Sequence, residues 1–120
     1  MGKTILVVDD DAMNLRMAEM ILKKKGYDVK KADSGQEALA LLQHETVDLI
    51  LLDVEMPGMN GIATLEKIRQ HKEYSSIPVM FLTADATEDT VIAAGRLGAD
   101  GYIKKPYMPQ DFLERVENVL

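Results

Sequence analysis

Four places in the sequence put chemically capable side chains directly behind a short apolar run. Asp9, Asp10 and Asp11 follow Ile5 to Val8, Asp53 follows Leu49 to Leu52, Thr83 follows Ile77 to Leu82, and Lys105 follows Gly101 to Lys104. Carboxylates crowded into one pocket raise one another's pKa and cost stability unless a cation offsets them; a hard divalent ion with oxygen ligands is the natural counter-charge. The cluster predicts Mg2+, or Mn2+ in its place. A carboxylate-held metal beside an amine and a hydroxyl is equipment for phosphoryl transfer. The ion and Lys105 would offset charge on the equatorial phosphoryl oxygens, and Thr83 would donate a hydrogen bond to one of them. Asp53 stands alone behind the central apolar run and is the expected nucleophile, while the paired Asp9 and Asp10 are arranged to hold the ion. Each residue alone has an ordinary reading as a turn, strand or solvated surface residue. The coincidence at four strand ends carries the chemical one. Asp11 keeps the ordinary role of capping the first helix.

The elements that must position these groups alternate regularly. Thr4 to Val8 reads as a strand and Ala12 to Lys25 as a helix stopped by Gly26. Val29 to Ala32 is a second strand, followed by a helix opened by the capping box of Ser34 and Glu37. Leu49 to Leu52 is continuously apolar, as a strand covered on both faces must be, and Asn60 caps a helix over Gly61 to Gln70. Ile77 to Leu82 is the fourth strand, Thr87 opens a helix to about Leu97, Gly101 to Lys104 is the fifth strand, and Pro109 begins a closing helix to Leu120. Five strands alternating with five helices predict a single α/β domain over residues 1–120, with a five-stranded parallel sheet joined by right-handed crossovers. Ligands of such open sheets bind beyond the carboxyl ends of the strands, where the four groups fall. If the first and third strands are neighbours, about 4.8 Å apart, Asp9 or Asp10 lies beside Asp53.

Composition narrows the function classes. A chain of 120 residues, 47% hydrophobic and 28% charged, fits one ordered globular domain. Its apolar runs are far shorter than the roughly 20 residues that span a bilayer, and the N-terminus lacks the pattern of a secretory signal. A cytoplasmic protein is expected, and the absence of cysteine agrees with a reducing compartment. The net charge of -6 argues against a direct nucleic-acid partner, and two Phe, four Tyr and no Trp make a poor base-stacking surface. His44 and His71 lie among polar residues and have no expected metal role.

The segments Ile5-Leu-Val-Val-Asp-Asp10, Leu51-Leu-Asp53-Val-Glu-Met-Pro57-Gly-Met-Asn-Gly61, Phe81-Leu-Thr83-Ala and Gly98-Ala-Asp-Gly-Tyr102-Ile-Lys-Lys105-Pro106 resemble the receiver domains of two-component response regulators, in the right order across the whole chain. The resemblance implies a doubly wound (βα)5, flavodoxin-like domain with strand order 2-1-3-4-5. It also implies phosphorylation of Asp53 by a histidine kinase or histidine phosphotransfer protein, and no separate enzymatic activity. Asp10 and Asp53 would supply metal oxygens, Asp9 would act largely through bound water, and Glu55 would lend its backbone carbonyl. Lys105 would bind the phosphoryl group, its bond to Pro106 would be cis, and Thr83 with Tyr102 would form the switch pair. The face switched would comprise the fourth helix, the fifth strand and the closing helix, read by a downstream protein or an attached output domain.

Two departures from the family pattern stand out. Regulators that dimerise through this face resemble one another in a Gly-Ala-Asp-Asp-Tyr segment, whose second Asp pairs with an Arg of the closing helix. Gly101 replaces that Asp here while Arg115 remains, so a monomer or a weak phosphorylation-dependent dimer is expected. Glu55 and Asp85, at positions that tune phosphoryl lifetime in the family, are both acidic.

In the first helix, Asn14, Ala18, Ile21 and Leu22 form the expected buried stripe, with Arg16, Glu19 and Lys23 opposite. Met17 is assigned to the core, whereas Met13 and Met20 suit an adaptable docking surface for a phosphodonor helix. Two rival readings are an aspartyl phosphatase like the haloacid dehalogenases, with Asp9 as nucleophile, and a binding module that is never phosphorylated. The first is weakened by Met13, where that motif ordinarily carries Thr or Val, and the second by retention of every acidic residue and the lysine.

Overall fold

The computed structural model describes residues 2–84, 92, 95–96 and 98–120. Five strands, β1 (Thr4–Val8), β2 (Asp28–Ala32), β3 (Leu49–Asp53), β4 (Val79–Thr83) and β5 (Gly101–Lys104), form one sheet. Their order is β2-β1-β3-β4-β5, with every pair parallel. Helices α1 (Ala12–Lys23), α2 (Gly35–Leu42), α3 (Gly61–Gln70) and a C-terminal helix (Pro109–Val119) cover it. This is the doubly wound, flavodoxin-like arrangement that the resemblance implied. The helix expected from Thr87 to about Leu97 lies mostly outside the described residues, as does Asp85; Ile92, Gly95 and Arg96 are helical.

Strand side chains alternate between faces, and that alternation divides the core in two. Leu6, Val8, Ile50, Leu52, Val79 and Phe81 pack with Ala38 and Leu42 of α2 and Leu65 and Ile68 of α3. On the opposite face Ile5, Val7, Leu49, Leu51, Met80 and Leu82 meet Ala18, Ile21 and Leu22 of α1 and Phe112 and Val116 of the C-terminal helix. Covering both faces is why β3 and β4 are buried at every residue.

The helix starts follow local chemistry. Asp11 Oδ1 accepts from the Met13 amide at 2.9 Å, Ser34 Oγ from Glu37 at 3.1 Å, and Asn60 Oδ1 from Ala63 at 2.9 Å. The reciprocal bond of the capping box goes one residue further out than expected, since Glu37 Oε1 accepts from the amide of Asp33 at 3.0 Å.

Several boundaries shift. The fourth strand begins at Val79, not Ile77, because Pro78 has no amide to donate, and it runs through Thr83. Helix α1 ends at Lys23, ahead of Gly26 at φ 87°. Gly98, at φ 76°, donates its amide to Gly95 O at 3.1 Å, as a helix C-terminus requires. Met17 is 43% exposed, not core; Leu15 packs against the core instead.

Candidate functional site

Strand register brings the chemical groups to one edge. Val8 pairs with Leu52, so the next residues, Asp9 and Asp53, lie side by side; Asp53 pairs with Leu82, and Thr83 with Lys104. Lys105 extends the ladder by donating its amide to Thr83 O at 2.8 Å, and the bond from Lys105 to Pro106 is cis. Asp9, Asp53 and Thr83 are buried, at 0%, 3% and 2% exposure. Asp10 is exposed, because adjacent residues at a strand end face opposite ways.

The Lys105 ammonium reaches 2.7 Å from Asp9 Oδ2 and 3.2 Å from Asp53 Oδ1. Asp9 Oδ1 accepts the Asp11 amide at 2.9 Å, and Asp53 Oδ1 accepts the Glu55 amide at 3.2 Å. One oxygen each from Asp9, Asp10 and Asp53 lie within 4.8 Å of one another. These groups, with Asp11, Asn14, Glu55 and Ala84, line a cavity of about 210 Å3.

One ammonium facing two buried carboxylates leaves a negative charge in excess. Burial first, and then the charge of Asp9, push the Asp53 carboxyl up from its ordinary 3.8 to about 7, against the pull of Lys105. Burial alone would lower Lys105, yet its bond to Asp9 and the charges of Asp53 and Asp9 outweigh that, so its net shift is upward. Lys105 therefore stays charged while Asp53 resists ionisation until more positive charge arrives. Three clustered oxygen donors and a raised carboxyl pKa fit a hard divalent cation. They offer no soft ligand.

The structure brings together Asp9, Asp10, Asp53, Glu55 and Lys105, with Thr83 one residue further along its strand. Tyr102 lies on β5, half-buried, with Arg115 stacked 5.4 Å from its ring centre. Two neighbours escaped the sequence reading. Asn14, assigned to the buried stripe of α1, is half-buried and lines the acidic cavity; its place one helical turn after Asp11 was the available signal. Tyr107 is buried two residues beyond Lys105, with a hydroxyl that has no partner among the described residues. Burial, and then the carboxylates of Asp9, Asp53 and Asp11, raise its pKa.

Met13 and Met20, at 74% and 58% exposure, stand out from α1 with Met17 beside them. Between α1 and the C-terminal helix, Met17, Met20, Ile21, Tyr107, Pro109 and Leu113 line an open groove of about 430 Å3 with Lys24 and Lys25 at its rim. Arg115 is bonded within the chain, to Asp111 and to the Tyr102 carbonyl. His44 and His71 are exposed, and no described helix is long and apolar enough to cross a membrane.

Comparison with known proteins agrees with this geometry. Residues 5–117 match the response regulator receiver domain family. The chain is 39% identical over 99% of its length to the phosphate regulon transcriptional regulatory protein PhoB of Pseudomonas aeruginosa, covering 52% of that protein. It is also 39% identical over its full length to the alkaline phosphatase synthesis transcriptional regulatory protein PhoP of Bacillus subtilis, covering 49%. The chain thus spans about half the length of the curated relatives it matches. Among solved structures, the Vibrio cholerae chemotaxis protein CheY4 superimposes with a TM-score of 0.96 at 32% identity, covering 100% of both chains. A putative response regulator of Chloroflexus aurantiacus superimposes with a TM-score of 0.94 at 36% identity, covering 99% of this chain and 98% of that one. With its fold, its strand-end chemistry and residues 5–117 in agreement, the chain belongs to the response regulator receiver domains of two-component signalling.

Proposed function

We propose that Asp53 accepts a phosphoryl group from the histidine of a kinase or phosphotransfer protein, in a Mg2+-dependent step that switches the face around β5 for partner binding. The observation that carries this reading is the Lys105 ammonium bridging Asp9 and Asp53 beside the Asp10 carboxylate. A carboxylate oxygen of Asp53 forms the new bond to phosphorus, the phosphorus–nitrogen bond to histidine breaks, and the departing imidazole nitrogen takes up a proton. Lys105, free to exchange a carboxylate partner for a phosphoryl oxygen, offsets charge on the transferred group, and Thr83 bonds another of its oxygens.

In this reading Asp10, Asp53 and the Glu55 carbonyl would hold the metal, and Asp9 would act through water. That division suits an Asp9 whose two oxygens already meet the Asp11 amide and Lys105. A divalent cation held there would supply positive charge that favours ionised Asp53 and offsets the charge of the phosphoryl oxygens. The same engagement of Asp9 disfavours the phosphatase alternative, which needs that carboxylate presented to substrate.

The exposed methionines of α1 are the docking surface for the donor. Phosphorylation is read through Thr83 and Tyr102 by a downstream protein or an attached output domain. Curated relatives twice this length are named transcriptional regulators; the charge argument against nucleic-acid contact covers only these 120 residues.

The test is intact mass after incubation with Mg2+ and acetyl phosphate. The parent chain should gain one phosphoryl group and Asp53→Asn none. Equal labelling of both, or none in the parent, would reject Asp53 as the acceptor.

A further inference from the structure

Tyr102 occupies β5, the last strand in the sheet order, so among the described residues one edge of its backbone has no neighbouring strand. Lys105 turns its amide toward β4, bonding Thr83 O; with two-residue alternation, Tyr102 directs its own backbone polar groups the other way. Its carbonyl is met from the C-terminal helix by the Arg115 guanidinium, which donates to it from Nη1 at 3.1 Å. The same guanidinium lies 5.4 Å from the centre of the Tyr102 ring and donates from Nε to Asp111 Oδ1 and Oδ2 at 3.2 and 3.1 Å. A planar, always charged group with several donors suits such a three-way contact, which a lysine cannot reproduce.

We propose that Arg115 is a positioning residue for Tyr102, a clamp held at Asp111 and at the Tyr102 carbonyl that retains the ring in the arrangement belonging to unmodified Asp53. The inference rests on the reading of Asp53 as acceptor and Tyr102 as its reporter.

Among the described residues Arg115 makes three contacts, and two of them are to groups that do not move with the ring, which holds the guanidinium back from a ring that turns away. The cation–π contact is then lost in the turned state and kept in the present one. A contact made in only one of two conformers biases the equilibrium toward that conformer. The present conformer is the one in which Lys105 still pairs with Asp9 and Asp53. Removing the clamp should favour the activated arrangement. Gly101 bears on the same feature: it offers Arg115 no carboxylate, and among the described residues the anion bonded to Arg115 is Asp111.

The test measures beryllofluoride binding with Mg2+ on the full chain, together with the ring resonances of Tyr102, in the parent, R115A, R115K and D111N. In R115A, apparent beryllofluoride affinity should tighten about two- to fivefold, the range an exposed cation–π contact supplies. Free R115A should shift its Tyr102 ring resonances toward their beryllofluoride-bound positions. R115K should move in the same direction because it cannot keep all three contacts, and D111N less far. Thermal unfolding of each variant separates this effect from general loosening of the C-terminal helix, which would weaken beryllofluoride binding. A parent that binds beryllofluoride normally, with R115A unchanged in affinity and in Tyr102 resonances, would overturn the clamp alone. A parent with no response would overturn the Asp53 reading and the clamp with it.

Discussion

At Asp53, burial and a neighbouring carboxylate both oppose the negative charge that its proposed role as nucleophile needs, and one lysine offsets only part of the cost. The folded chain therefore holds a proton on Asp53 over a range where the unfolded chain has released it. With the carboxyl raised from 3.8 to about 7, the folded state binds the extra proton between those values. Stability without metal should accordingly fall as pH rises from about 4 to about 7, and the loss should be complete above that window. Asp53→Asn removes the titrating charge and should flatten this dependence. It should stabilise the metal-free chain near neutral pH by about 1–3 kcal/mol, less than the full shift implies because Lys105 loses a partner. Urea titrations of both proteins across the window check the prediction; parallel pH profiles would contradict it.

The elements set tolerances that no single side chain reveals. Gly61 opens α3 with its amide bonded to Val54 O at 2.9 Å, and a Cβ there would overlap Asp53 O and lie 2.8 Å from Val54 Cα. Gly61→Ala should therefore destabilise the chain by about 1–3 kcal/mol, because it forces the α3 start away from the backbone that carries Asp53. Denaturant unfolding measures the cost, and slower labelling by acetyl phosphate would show displacement of Asp53.

Helix α1 makes a different demand. Its three methionines are exposed at 74%, 43% and 58% for Met13, Met17 and Met20, so none of them is needed to fill the core. Replacing Met13 and Met20 by Lys should leave stability within about 1 kcal/mol of the parent, about 0.5 kcal/mol for each exposed site. It should slow phosphoryl transfer from a cognate kinase while leaving labelling by acetyl phosphate unchanged. Equal slowing of both reactions would remove the docking role.

Across the whole molecule, the sheet separates two cores, yet its strand ends assemble a single charged pocket. A cation bound there stabilises the folded chain by mass action: at 100 times its dissociation constant the gain is about 2.7 kcal/mol. Mg2+ should therefore raise the urea midpoint without changing the slope, which follows the surface exposed on unfolding. Asp53→Asn and Asp10→Asn should each lose most of that gain. A Mg2+ effect of equal size in all three proteins would place the ion elsewhere.

How much of this was legible beforehand follows from the range over which each signal acts. Strand runs, helix caps and the four strand-end groups depend on a few consecutive residues, so among the described residues they could be read directly, and the boundaries there moved by only a residue or two. The start of β4 was misplaced because the apolar run continues through Ile77 and Pro78, and a donor-less proline outweighs hydrophobicity at the ladder.

Met17 was misassigned because helical spacing alone does not say how wide a stripe its neighbours cover. Tertiary structure decided that Asp9 is buried and Asp10 exposed, since that depends on which way each turns against β3. It decided that Lys105 bridges two carboxylates and that Arg115 bonds the Tyr102 carbonyl, because these contacts join residues that are not neighbours in the chain. The sequence by itself determined the kinds of chemical group and the strand ends that carry them. Only packing of the strands in register decided which oxygens meet, because distance and burial are properties of neighbours in space.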